Sequence, residues 1–145
     1  MDEPREAGKG VELGSGLSIL GSILAAFGPL LPWWKVTTTT LGIELSTITG
    51  TEAWLGIVAF IGGVTALGTS AYLYERINRK GSLGFVVLGG GAIAFVCSVI
   101  GATSGASILG TTFKVSSQVG IFISLLGGLI TAMGGYLQTR EGSEP

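Results

Sequence analysis

Histidine is absent from this chain, aspartate occurs only as Asp2, and cysteine only as Cys97. These side chains do most proton transfer, nucleophile activation and metal ligation. What remains assembles no catalytic constellation, metal site or cofactor cradle, so no enzyme and no cofactor are expected. A single cysteine closes no intramolecular disulfide, and any loop outside the main fold must then hold its shape by hydrogen bonding. Among Val and Ile, Cys97 reads as a small core hydrophobe. Charge is scarce as well: 12% of residues are charged, against about 25% in an ordinary soluble domain. With 8 Lys+Arg against 9 Asp+Glu the net charge is −1. That balance leaves no basic excess to grip phosphates, and excludes nucleic acid as the partner.

Apolar residues fill the gap, at 47% of the chain and a mean hydropathy of +0.65. Apart from Glu12, the stretches 11–31, 53–74, 83–103 and 117–137 carry no charge. Each reaches the roughly 20 residues that cross a bilayer core as a helix. A buried bundle in a soluble protein needs polar outer faces at helical spacing, and Gly84 to Ile100 has none. The fold class is therefore an all-α membrane protein, a four-helix transmembrane bundle in a single domain, with the lipid bilayer as its first partner. The outer loops are 32–52 and 104–116, the inner turn 75–82 and the inner tail 138–145. The first span follows Asp2, Glu3, Arg5, Glu6 and Lys9 in mixed order, not the basic n-region of a cleaved signal, so it is expected to persist.

Six of the eight cations, Arg5, Lys9, Arg76, Arg79, Lys80 and Arg140, fall on the side of the termini and the 75–82 turn. The positive-inside rule makes that side cytoplasmic and predicts a multi-pass plasma-membrane protein with both termini inside. Trp33, Trp34 and Trp54 then mark the outer interface, and Tyr72, Tyr74 and Tyr136 the inner one. No central position of a span is ionisable, which argues against proton-coupled transport. Thr65, Ser70, Ser98, Ser124 and Thr131 read as helix back-bonding or helix-joining hydroxyls.

The first and third spans align at constant shift through Gly16/Gly84, Leu20/Leu88, Gly21/Gly89, Ala26/Ala94 and Phe27/Phe95. The second and fourth align through Gly56/Gly120, Ile57/Ile121, Gly63/Gly127, Tyr72/Tyr136 and Arg76/Arg140. These matches predict a parallel duplication of two helical hairpins. Glycine supplies 26 of 145 residues, and in lipid close backbone approach is what makes helices associate. On the fourth span Gly127, Gly128, Thr131, Ala132 and Gly135 form small-residue rows. They serve either packing inside one bundle or a face for a second protomer; for the latter, Gly128/Ala132 is the expected outward row. Pro29 predicts a local bend late in the first span.

WWKVTTTT at Trp33–Thr40 and IELSTIT at Ile43–Thr49 flank Leu41-Gly42 and read as a β-hairpin. Thr111–Val115 offers a third strand, since two strands alone are marginal in water. Strand parity then sends Trp34 toward the helices and Trp33 toward headgroups or solvent. The alternative is a Thr-rich loop without fixed pairing. Glu44, Glu52, Lys35 and Lys114 read as solvated positions.

Leu31-Pro32-Trp33-Trp34-Lys35-Val36-Thr37, leaving the first span and opening a β-rich outer loop, resembles the start of the first extracellular segment in claudins and their PMP22-type tetraspan relatives. A short basic cytoplasmic turn, a shorter second outer loop and a Gly-rich fourth span add to the likeness. The resemblance implies an extracellular sheet above a left-handed four-helix bundle, with Pro32, Trp34, Lys35, Val36 and Trp54 as sheet anchors. It also implies lateral self-association or contact across membranes. The loop cysteines of claudins are missing and the loop is too short for four strands, so their paracellular-pore chemistry is not implied. Two functions follow: a structural or interaction protein that self-associates or contacts a neighbour through its outer loops, or a non-catalytic accessory subunit of a larger membrane complex.

Overall fold

The computed structural model describes residues 7–75, 80–104 and 113–141. Arg5, Arg76 and Arg79 lie outside them, as do residues 76–79 of the inner turn, the 105–112 part of the second loop and the last four residues. Four helices form the body: α1 (Ala7–Phe27), α2 (Trp54–Glu75), α3 (Lys80–Ser104) and α4 (Val119–Glu141). All four are long and apolar enough to cross a membrane, and the chain is a four-span integral membrane protein. Their outward faces carry large apolar side chains such as Leu20, Phe27, Ile61, Phe85, Val96 and Met133, all exposed. Only a hydrocarbon solvent tolerates that surface. The inward faces are small instead: Ala25, Ala59, Ala66 and Ala94 are buried, with Ser22, Ser70, Ser98 and Ser124. At Pro29, which lacks the amide hydrogen an α-helix needs, α1 gives way to a 3-10 turn, Gly28–Leu30.

Each helix packs on its two neighbours in the cyclic order α1, α2, α3, α4, and diagonal pairs hardly touch. Along the α1/α4 seam, glycines recur every seven residues on both helices and meet antiparallel: Gly14 against Gly134, Gly21 against Gly127, and Gly28 beside the first turns of α4, where Gly120 faces it. A Cβ built on Gly21 would stand 2.5 Å from the Thr131 amide nitrogen, and one on Gly28 2.6 Å from the Ser124 Cβ. At these glycine positions no side chain fits, and one backbone rests against the other helix. Seven residues are two turns at 3.5 residues per turn, the period that keeps one face of a helix on its partner along its length.

The contacts carry an internal two-fold likeness, one residue out of step with the expected alignment. A Cβ on Gly62 (α2) meets the Gly90 carbonyl (α3) and one on Gly90 meets the Gly62 carbonyl; Gly127 (α4) and Gly21 (α1) do the same to each other. Gly63 lies against Ala26 as Gly128 lies against Phe95. These relations pair Gly21 with Gly90 and Gly63 with Gly128. The expected pairing joined Gly21, which is packed on α4, to Gly89, which has open space around it.

Beyond the ends of α1 and α3 sits an antiparallel sheet of β1 (Pro32–Thr38), β2 (Glu44–Thr49) and β3 (Phe113–Ser117), in the order β2-β1-β3. The hairpin closes through Gly42, whose φ of 63° is a left-handed value open to glycine. Its amide donates to the Thr38 carbonyl at 3.0 Å. The third strand comes from the second hairpin and begins at Phe113, so β1 is the central strand and ties both halves together.

Candidate functional site

The sheet is fixed to the helices by two adjacent tryptophans. Trp34 is 7% exposed, and its indole N–H donates to the Gly101 carbonyl in the last turn of α3 at 3.0 Å. Trp33 is 0% exposed, and its N–H donates to the Gly28 carbonyl at 3.2 Å. Both carbonyls lie at helix ends, and the Gly28 carbonyl accepts from the Leu31 amide at 3.1 Å as well as from the Trp33 indole. The rings stand edge to face, centroids 5.6 Å apart at 82°, a favoured aromatic geometry. They join one core cluster with Ala25, Leu55, Ala59, Ala94, Cys97 and Ile121, so every helix contributes to the seat.

The expectation that Trp33 faces headgroups or solvent is corrected. Between Pro32 and Trp34 the register advances two residues on β1 but one on β2. Trp33 is the extra residue of a β-bulge, which breaks the two-residue alternation and re-aims its side chain. On the other side, its carbonyl accepts from the Gln118 amide at 2.8 Å. Both rings therefore enter the bundle. Gly50 and Gly101 make room for them: a Cβ on Gly50 would lie 2.6 Å from the Trp33 indole nitrogen, and one on Gly101 2.9 Å from its Cζ3.

Of the other expected anchors, Pro32 is half-buried and opens β1 opposite Thr49, and Val36 is buried between Ser46 and Val115. Lys35 turns away from the bundle and pairs with Glu44. Trp54 is 71% exposed at the start of α2 and does not join the cluster. Glu52 does more than meet solvent, since its carboxylate accepts the Thr49 amide at 2.7 Å and caps the 3-10 turn Gly50–Glu52 that leads into α2.

The small residues of α4 split between two partners. Gly127 faces α1, while Gly128 and Gly135 face α3, where a Cβ would stand 2.6 Å from the Phe95 nitrogen and 2.5 Å from the Leu88 nitrogen. Thr131 is fully buried and returns its hydroxyl to the Gly127 carbonyl at 2.7 Å. The Ala132 amide lies where a Cβ on Gly91 of α3 would reach. The Gly128/Ala132 row expected to face outward is thus turned onto α3, because four helices of this size close the bundle only where two backbones can touch.

What stays uncovered is β2. Glu44 through Thr47 are exposed, and the hairpin tip presents Leu41, Ile43 and Leu45 at 74%, 55% and 54% exposure. Its far edge is unpaired among the described residues, a row of free backbone donors and acceptors. The sequence signals missed above are Trp33, hidden by the bulge, and the seven-residue recurrence Gly14, Gly21, Gly28 and Gly120, Gly127, Gly134, which is legible in the chain once looked for. In comparison with known proteins, no family model matches this chain and no curated protein is similar to it.

Proposed function

We propose that this protein is a non-catalytic structural or interaction protein, claudin-like in plan, whose outer sheet is the contact surface. The observation that supports this reading is the contrast between the two ends of the sheet. The β1/β3 side is clamped to the helix ends by two buried tryptophans, whereas β2 presents an open edge and an apolar tip. A rigidly held edge strand suits main-chain pairing with a second strand, and the same strand on a second copy is the simplest complement. The glycines Gly127, Gly128 and Gly135 of α4 pack against α1 and α3 within the bundle, which favours the sheet over that row as the contact. The accessory-subunit reading is favoured instead if an unrelated chain covers the same tip.

The test uses the full chain with Cys97→Ser and one cysteine at Thr47, in native membranes under mild oxidation. A disulfide-linked dimer of this chain, lost when Ser46 is replaced by Pro, supports self-association through β2. A cross-link only to an unrelated chain supports the accessory role, and no cross-link to any chain removes β2 as the contact. For orientation, the cation distribution supports a reading with the sheet outside the cell. Cysteines placed singly at Thr40 and Tyr74, both exposed, should label from the outside and the inside respectively, and the reverse result overturns the assignment.

A further inference from the structure

The end of the bundle remote from the sheet holds a group of polar side chains that the interaction surface does not use. Ser18 and Ser70 are 0% exposed and Gln138 is 1% exposed, inside segments that cross a membrane. The Ser18 and Ser70 hydroxyls and the Gln138 side-chain carbonyl have no hydrogen-bond partner among the described residues. Gln138 does reach α1 with its amide, which donates to the Ser15 hydroxyl at 3.4 Å.

These groups converge. The Ser18 hydroxyl points onto Gly134, one turn before Gln138 on α4, and Gly14 lies against the Gln138 Cγ. Ser70 stands seven residues beyond Gly63, which faces Ala25 and Ala26. Two turns along antiparallel helices bring Ser70 level with Ser18 and Ile19 on α1. The orphans thus sit on α1, α2 and α4 within about one helical turn of one another along the bundle. Two are hydroxyls that need an acceptor for their hydrogen, and one is a carbonyl that needs a donor. Lipid supplies neither. A water molecule supplies both, and two to four polar partners are what a buried water takes.

We propose that Ser15, Ser18, Ser70 and Gln138 form a buried polar site that holds an ordered water molecule bridging α1, α2 and α4. The water accepts from the Ser18 and Ser70 hydroxyls and donates to the Gln138 carbonyl, and so it joins three helices through polar contacts.

Gln118 and Gln138 are the two glutamines in the chain, so protein labelled with ¹⁵N-glutamine gives two side-chain amide signals, assigned with Gln118→Glu. In detergent micelles the Gln138 amide protons should show cross-relaxation to water with the sign of a long-lived bound molecule, weakened in Ser70→Ala. Absence of that cross-relaxation in the unaltered protein overturns the proposal. Independently, Ser70→Ala and Gln138→Leu should each lower the thermal midpoint by about 2–4 °C, and together by less than the sum. Midpoints that stay level or rise mean that plain unpaired groups were removed, and also overturn it. A midpoint that depends on sodium or potassium against choline at equal ionic strength assigns the site to a cation instead of water, and equal midpoints support water.

Discussion

Two neighbouring indoles donate in opposite senses, Trp33 back to the Gly28 carbonyl in the 3-10 turn after α1, which the Leu31 amide also reaches, and Trp34 across to the end of α3, so a single strand is tied to the ends of two helices. Trp33→Ala and Trp34→Ala should both cost about 3–5 kcal/mol in unfolding measured in detergent, and the double variant should fall short of the sum because the rings touch. Trp34→Phe keeps most of the ring and loses the donor, so it should cost about 1 kcal/mol. By contrast, the Lys35–Glu44 pair lies on the sheet surface, and Glu44→Gln should change stability by no more than about 1 kcal/mol. The role of Trp34 was readable from strand parity, whereas that of Trp33 was not. A bulge is a property of how two strands are paired, and the residue that creates it, one position after Pro32, carries no mark of its own in WWKVTTTT.

Among the helices, glycine has two roles that composition alone does not separate. Gly21, Gly127 and Gly128 are places where one backbone rests on another, while Gly16, Gly68 and Gly89 have open space around them. Gly128→Ala forces a carbon to within 2.6 Å of the Phe95 nitrogen; overpacking of this kind costs about 1–3 kcal/mol and should show as a lowered midpoint or aggregation. Gly89→Ala meets nothing and gains helix preference, about 0.5–1 kcal/mol. A thermal comparison of the two variants reads the difference directly. The existence and length of all four helices were legible because uncharged runs of about 20 residues have few other meanings. Which glycine faced which neighbour was not, since four-residue and seven-residue rows overlap on α4 and only the positions of α1 and α3 choose between them.

At the level of the whole molecule, the helices make a ring in which each half of the chain touches the other at two seams, and the sheet adds a third connection through β1. Layout and strand content followed from the sequence because hydropathy and β-branched runs are local signals. The position of β3 on the far side of β1 is a long-range pairing, and nothing near residue 113 specifies it. That order has a consequence in time. Synthesis proceeds at about 5–20 residues per second, so β1 and β2 are complete several seconds before Phe113 leaves the ribosome. The α3 carbonyl that receives the Trp34 N–H also does not yet exist when β1 does. The central strand must wait with one edge bare and its second tryptophan unanchored until the third helix has been inserted. Ribosome-stalled chains ending before residue 100 should accordingly show a protease-sensitive hairpin that becomes resistant once α4 is complete, and early protection would mean that the hairpin finds its seat without the second half.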